Sequence, residues 1–231
     1  MTLGGSHSVS AIIPVRDGER YLCEAITSLA EQTHPPAEII VVDDGSTDLS
    51  GSIARSCHGV RVVQTPPRGP SSARNLGAQI ATQPLIAFLD ADDAATPRRL
   101  ELQVAELGRR EHLDAVVGRM EVFVSDDCDP RLRERAHVPE GAPVAYLTGT
   151  LLIHRAAFLA TGGFAENLPN AEVLDWFARA RGQLAFGSVD HVILRRRIHG
   201  ANRSLNQDEL RAGVLMAARS GVLRATREPE R

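Results

Sequence analysis

The sequence contains no lysine; all 26 of its Lys and Arg residues are arginine. That absence excludes every chemistry that needs a lysine amine: Schiff-base formation, the phosphate-gripping lysine of a P-loop, and a lysine general base. Cysteine is scarce too. Cys23, Cys57 and Cys128 are odd in number and far apart, which argues against a disulfide framework and against a zinc site, so they read as ordinary thiols. No apolar run approaches the roughly 18 residues of a membrane span. The N-terminus shows no basic stretch followed by an apolar core, and a cytoplasmic location is the resulting expectation. A formal net charge of −3 gives no global attraction to nucleic acid. There is no internal repeat and no low-complexity segment.

What is present is a regular alternation. With 231 residues, 43% hydrophobic and 24% charged, the chain can build one sizeable α/β domain. Residues 9–15 form an apolar, β-branched run that reads as a buried strand. Residues 21–32 place Leu22, Ile26 and Leu29 on one helical face. A second strand at 38–42 is followed by the turn Gly45-Ser46-Thr47-Asp48 and a short helix to Ser56, then a third strand at 60–63. A helix over 71–81, capped by Ser71 or Ser72, leads to a fourth strand at 85–89. Thr96-Pro97 is expected to open the next helix as cap and first residue, with Leu100, Val104 and Leu107 as its apolar stripe. Four such alternations predict a parallel, doubly wound sheet. Further on, the pattern predicts a strand pair or one long strand at 115–124, a surface loop at 125–141 and a strand at 149–154. A helix stopped by Gly162-Gly163, a helix at 171–181, a strand at 189–198 and a last helix at 207–220 complete the chain.

Carboxylates gather where the first, second and fourth strands end: Asp17, then Asp43 and Asp44, then Asp90, Asp92 and Asp93. In a parallel sheet these ends share one edge, and ligands of open α/β folds bind beyond it. Taken alone, Asp90-Ala91-Asp92-Asp93 is read equally well as a solvated acidic turn or as a holder of a hard cation shared with substrate phosphates. Three strands aiming acids at one edge favour the cation. A Gly-x-Gly-x-x-Gly turn is missing after the first strand, where Val15-Arg16-Asp17-Gly18-Glu19 stands, so NAD is not expected. A sugar nucleotidyltransferase would want a glycine-rich phosphate loop at the same place.

Four runs carry a resemblance: Ile12-Ile13-Pro14-Val15-Arg16-Asp17-Gly18, Val41-Val42-Asp43-Asp44-Gly45-Ser46-Thr47-Asp48, Ala73-Arg74-Asn75-Leu76-Gly77 and Phe88-Leu89-Asp90-Ala91-Asp92-Asp93. In order and spacing they resemble the family 2 glycosyltransferases of GT-A fold. That resemblance implies one GT-A domain, with a nucleotide-sugar-binding half at 9–110, an acceptor-side half at 111–205 and a C-terminal helix and tail at 206–231. It implies that Pro14 and Val15 line the base pocket, that Asp43 or Asp44 accepts from the nucleobase, and that Arg74 sits near base and diphosphate. Asp90 and Asp92 match the Asp-x-Asp motif, Asp90 toward the ribose or metal-bound water and Asp92 as ligand of Mn²⁺ or Mg²⁺. Arg197 and His199 match an Arg-x-His element that meets the diphosphate and completes the metal site, although a solvated basic edge strand would show the same alternation.

The run Glu172-Val173-Leu174-Asp175-Trp176 departs from the family's Glu-Asp pair: Val173 occupies the position of the usual general-base aspartate. Glu172 or Asp175 then remains as the base, or the acceptor is acidic enough to need little help, or both carboxylates merely cap a helix. The implied activity is metal-dependent inverting transfer from a nucleotide-sugar, UDP-linked by family frequency, to a small-molecule, peptide or lipid-linked acceptor. The alternative is a nucleotide-sugar-binding protein with little catalysis. The loop at 125–141 is expected to encode acceptor specificity.

Overall fold

All seven residues of the first strand, Val9–Val15 (β1), are buried, and the sheet is built outward from it. The computed structural model describes residues 7–135, 138, 140–168, 170–200, 202 and 211–216. Along β1 the side chains alternate between two cores. Ile12 packs on one face with Ile40, Ile86 and Phe88, while Ala11, Ile13 and Val15 pack on the other with Leu22, Ile26 and Leu29. Burial on both faces is why the strand reads as an unbroken apolar run.

The elements that follow are α1 (Leu22–Ala30), β2 (Glu38–Asp43), α2 (Ser50–Ser56), β3 (Val60–Gln64), α3 (Pro70–Ile80) and β4 (Leu85–Phe88). Strand β1 pairs in parallel with β2 and with β4, and β2 pairs in parallel with β3. The second half supplies β5 (Ala94–Ala95), α4 (Arg99–Arg109), β6 (Ala115–Val124), α5 (Pro130–Arg135), β7 (Val144–Ala145), a 3-10 turn at Thr148–Thr150, β8 (Leu152–His154), α6 (Arg155–Ala160), α7 (Glu172–Ala180) and β9 (Phe186–Ile198). The strands form one sheet in the order β3-β2-β1-β4-β8-β6-β9-β5, with β7 on the side of β6. The half containing β1 to β4 is wholly parallel as expected. Beyond it β8 runs antiparallel to β4 and β6 antiparallel to β8, so the whole is a mixed sheet. Short β5 pairs antiparallel with β9, Ala94 opposite Arg195. This pairing draws the acidic loop at 90–93 against the end of β9.

Several boundaries differ from the sequence reading, and each has a local cause. Helix α3 begins at Pro70 after Gly69, not under a Ser71 or Ser72 cap, because Gly69 takes a φ of 95° that makes it the turn residue. Helix α4 begins at Arg99. Arg98 holds its cap position and no side chain caps it, while the Thr96 hydroxyl donates to the Val192 carbonyl. Residues 115–124 form a single strand, and of the strand expected at 149–154 only Leu152–His154 is extended. Of the last predicted helix, 211–216 is helical; the remainder lies outside the described residues. No described helix is long and apolar enough to cross a membrane.

Aromatic residues are few, but most of them gather in one core under the acceptor-side half. Trp176 is fully buried; its ring centroid lies 5.6 Å from those of Phe158 and Phe164 and 4.9 Å from that of Phe177. Its indole N–H is satisfied by the Thr161 hydroxyl at 2.8 Å, as a buried indole requires.

Candidate active site

The strand order reverses at β1 and β4, and a crevice of about 860 Å³ opens beyond their carboxyl ends. Ligands of doubly wound sheets bind at such a switch point. Pro14, Val15, Asp44, Arg74, Asp90, Asp92, Glu172 and His199 all line it.

One wall is two loops stitched together. Asp17, held at a φ of 50°, accepts from the Thr47 backbone N–H at 2.7 Å, while the Ser46 hydroxyl accepts from the Asp17 N–H. Asp48 accepts from the Glu19 N–H, and Glu19 returns the favour to Leu49. These reciprocal bonds tie the two loops to each other. Behind it Asp44 faces the crevice and accepts from the Arg68 and Gly69 N–H groups at 2.7 and 2.8 Å. Asp43 is elsewhere: it points away from the crevice and accepts from Ser46 and Gln64. Burial works against its ionisation, but those donors and the nearby Arg55 hold its pKa below the ordinary carboxylate value. Of the pair, only Asp44 lines the crevice.

Three neighbours on α3 each have a separate task. Arg74 is buried and donates to Asp90 at 2.6 Å and to Glu172 at 3.4 Å. Burial lowers its pKa, yet the two carboxylates outweigh this and leave it raised. Asn75 holds the Gly162-Gly163-Phe164 turn, accepting from the Phe164 N–H and donating to the Phe164 carbonyl, each at 2.9 Å. Gly77 lets α3 touch β1: a Cβ there would lie 2.4 Å from Cγ2 of Ile12.

The acidic loop divides its labour. Asp90 pairs with Arg74. Asp92 Oδ2 lies 3.0 Å from His199 Nε2 and accepts from the Asn202 amide at 3.1 Å. Burial opposes ionisation of Asp92, but His199 and Asn202 bring its pKa below the usual value. Asp93 is turned inward, accepting from the Arg197 backbone N–H at 2.9 Å, and burial with the adjacent Asp92 and Asp90 charges raises its pKa well above normal. Among the described residues no group of three or more His, Cys, Asp or Glu side chains is ready to cage a metal. Asp92 with His199 is nevertheless a converging oxygen and nitrogen donor pair on the crevice wall. Two protein ligands completed by substrate phosphates is a common arrangement for Mg²⁺ and suits Mn²⁺ as well.

Arg197 does not meet the crevice as the Arg-x-His pattern implied. It is buried behind the loop, where its guanidinium donates to the Asp92 carbonyl at 3.0 Å, pairs with Glu24, and lies 4.5 Å from the Tyr21 ring and 4.7 Å from the Phe123 ring. Arg197 therefore braces the loop, and Arg196 is the arginine of this strand that lines the crevice. Asp175 is also turned away, paired with Arg179 at 2.8 Å, and Arg179 in turn holds the Thr161 and Gly163 carbonyls. Only Glu172, with Val173 and Leu174 beside it, faces the crevice from α7. Its Oε1 meets Arg74, and its Oε2 is buried with no hydrogen-bond partner.

The sequence reading missed two contributors. Tyr21 lines the crevice, holds its ring tilted at 54° and 4.9 Å from that of His199 and donates its hydroxyl to Asp127. Arg99 is fully buried beneath the acidic loop, donating to the Phe88 and Leu151 carbonyls and to Gln103, and burial lowers its pKa to about 10 despite Asp93 and Asp90. An arginine beside a helical apolar stripe carries no signal of such burial.

The sequence profile of Glycosyl transferase family 2 matches residues 10–165. The chain belongs to that family. An uncharacterized glycosyltransferase of Rickettsia typhi is 32% identical over 220 residues, spanning 87% of this chain and 68% of that protein. One from Rickettsia felis is 26% identical over 226 residues, spanning 90% of this chain but only 36% of that protein. Among solved structures, S. aureus TarS 1-349 in complex with UDP-GlcNAc superposes with a TM-score of 0.69 at 22% identity, over 86% of this chain and 61% of that one. The family's GT-A fold is thus the fold seen here, while the chain accounts for well under two thirds of the length of the R. felis relative.

Proposed function

We propose that the chain transfers a sugar from a nucleotide-sugar, UDP-linked, to an acceptor nucleophile with inversion at the anomeric carbon. The observation that carries this reading is the convergence of Arg74–Asp90, Asp92–His199 and Glu172 on one crevice at the β1/β4 switch point. The UDP and UDP-GlcNAc complexes of the similarly folded TarS support the choice of nucleotide.

In this reading Pro14 and Val15 offer an apolar floor to the base. Asp44 keeps spare lone pairs on both oxygens and accepts a base N–H. Asp90, oriented by Arg74, accepts from the ribose. Asp92 and His199 hold a divalent cation, Mn²⁺ or Mg²⁺. When bound, that cation supplies Lewis-acid neutralisation of the leaving diphosphate. Arg196 adds fixed positive charge on the same wall, and Arg197, Asn202 and Asp93 keep the loop in register. The acceptor, a small molecule, a peptide or a lipid-linked glycan, enters past Thr148, Gly149 and Leu174. Its hydroxyl oxygen bonds to the anomeric carbon as the bond to the diphosphate oxygen breaks, and its proton passes to Glu172.

Binding with little turnover is the second reading. It is favoured by Glu172 being tied to Arg74 and by Val173 having no proton-accepting group. Incubating the purified protein with UDP-sugars and Mn²⁺ separates the two. Transfer or hydrolysis, with the product anomer inverted by NMR, supports the first; tight binding with no consumption of donor supports the second.

A further inference from the structure

The crevice changes character on its acceptor side. Asp44, Asp90, Asp92 and Asp93 are committed to donors around the nucleotide loops, and the carboxylate that faces the crevice from α7 is Glu172. Glu172 is poorly placed to strip an ordinary alcohol of its proton: Arg74 occupies its Oε1, and its Oε2 is buried without a hydrogen-bond partner. Beside it the wall is apolar. Val173 and Leu174 follow Glu172 on α7, and Leu147 lines the same crevice from the turn before β8. Val173 and Leu147 are half-buried against the two cores, whereas Leu174 is 56% exposed. The turn that follows Leu147 is pinned to α4, where Gln103 donates to the Thr150 carbonyl at 2.8 Å and Arg99 to that of Leu151 at 3.3 Å. We infer that the acceptor is an aryl hydroxyl, a phenol whose ring lies against Leu147, Val173 and Leu174 and whose oxygen attacks the anomeric carbon.

This inference rests on the transfer reading above and narrows its acceptor. A phenol ionises near about pH 10, as tyrosine does, against about 16 for an aliphatic hydroxyl, which resembles bulk water. The same attack therefore needs far less help from a base when the oxygen is phenolic. That oxygen forms its bond to the anomeric carbon while the carbon's bond to the diphosphate oxygen breaks. The electron pair leaves with the diphosphate, and the phenolic proton passes to Glu172. A flat ring also covers apolar wall that a sugar or a peptide backbone would leave wet. A carboxylate or phosphate acceptor would be acidic enough, but it would carry its negative charge in beside Glu172 and the donor diphosphate.

Initial rates of UDP release by the full chain, with Mn²⁺ and either UDP-glucose or UDP-GlcNAc as donor, test this with a matched pair of acceptors. 4-Ethylphenol and 4-ethylcyclohexanol share one heavy-atom skeleton and differ in the acidity of the hydroxyl. Above the acceptor-free rate, kcat/KM should be at least about 100-fold higher for the phenol, with the aryl glycoside identified by mass spectrometry. N-acetyltyrosinamide in a third arm distinguishes free phenols from tyrosine side chains, and transfer to either supports the inference. Leu174→Ser, a change at an exposed helix position, should raise KM for the preferred phenol about fivefold by removing roughly half a leucine's contact with the ring. Donor consumption with equal rates for phenol and alcohol, faster transfer to methyl glucoside, or an unchanged KM in Leu174→Ser would overturn the inference and leave the transferase reading standing. No release of UDP with any donor and acceptor would overturn both.

Discussion

Removing Arg74 should expose how much of the crevice is held by a single guanidinium. In Arg74→Met the side-chain volume is largely kept, but Asp90 and Glu172 both lose their cation. Asp90 has a side chain 36% exposed, so water takes over much of its solvation, whereas the Glu172 side chain is 7% exposed. Glu172 Oε2 already lacks a partner, and the substitution leaves the whole carboxylate uncompensated. Removing one partner of a buried pair costs about 3–5 kcal/mol. With only one of the two carboxylates truly buried the lower figure applies, about 3 kcal/mol, or a melting point lower by roughly 6–12 °C for a chain of this size. Adding Glu172→Gln to the variant removes the stranded charge and should return about 1–2 kcal/mol. Urea unfolding followed by circular dichroism measures both. A variant within about 0.5 kcal/mol of the parent, or a double variant no more stable than the single one, would refute the reasoning.

Other outcomes follow from the same geometry. Asp92→Ala should abolish transfer while shifting the melting point by no more than about 2 °C, since the Asp92 side chain is 34% exposed and borders the open crevice; retained turnover would remove Asp92 from the cation site. Gly77→Val forces a branched side chain into Cγ2 of Ile12, with its Cβ alone 2.4 Å away, and should cost about 3 kcal/mol in urea unfolding. Val173→Asp places a carboxylate on the crevice wall beside Glu172 and should raise the rate with alcohol acceptors, by up to the 10²-fold typical of a positioned base; an unchanged rate would mean that proton removal does not limit turnover.

The parallel half was legible because its residues face no choice. Val9–Val15 and the core of β2 are buried on both faces, so apolar runs and strand limits coincide. Helix starts were harder. The Thr96 hydroxyl that looks like a cap serves the Val192 carbonyl instead, and a tertiary partner of that kind leaves no local trace. Among the site residues, Arg74, Asp90 and Asp92 meet at the crevice, as their motifs implied, and Glu172 joins them from α7. Asp43, Asp175 and Arg197 do not, and in each case a second partner decides: Gln64, Arg179 and Glu24 capture them from outside the crevice. Strand alternation places Arg195 and Arg197 together on the Phe123 ring, but it cannot say which face of β9 lines the crevice. The pairing of β5 with β9 settles that, and a two-residue strand is too short to read from sequence.

The central claim is that Asp92 and His199 hold a cation through which a nucleoside diphosphate is gripped. Calorimetric titration of the protein with UDP, in excess Mn²⁺ and again in EDTA, tests it most directly. The account predicts that Mn²⁺ tightens UDP binding at least about tenfold, equivalent to 1.4 kcal/mol, and that Asp92→Ala erases the difference. Equal affinity in the two titrations, or no binding of any nucleoside diphosphate, would contradict it.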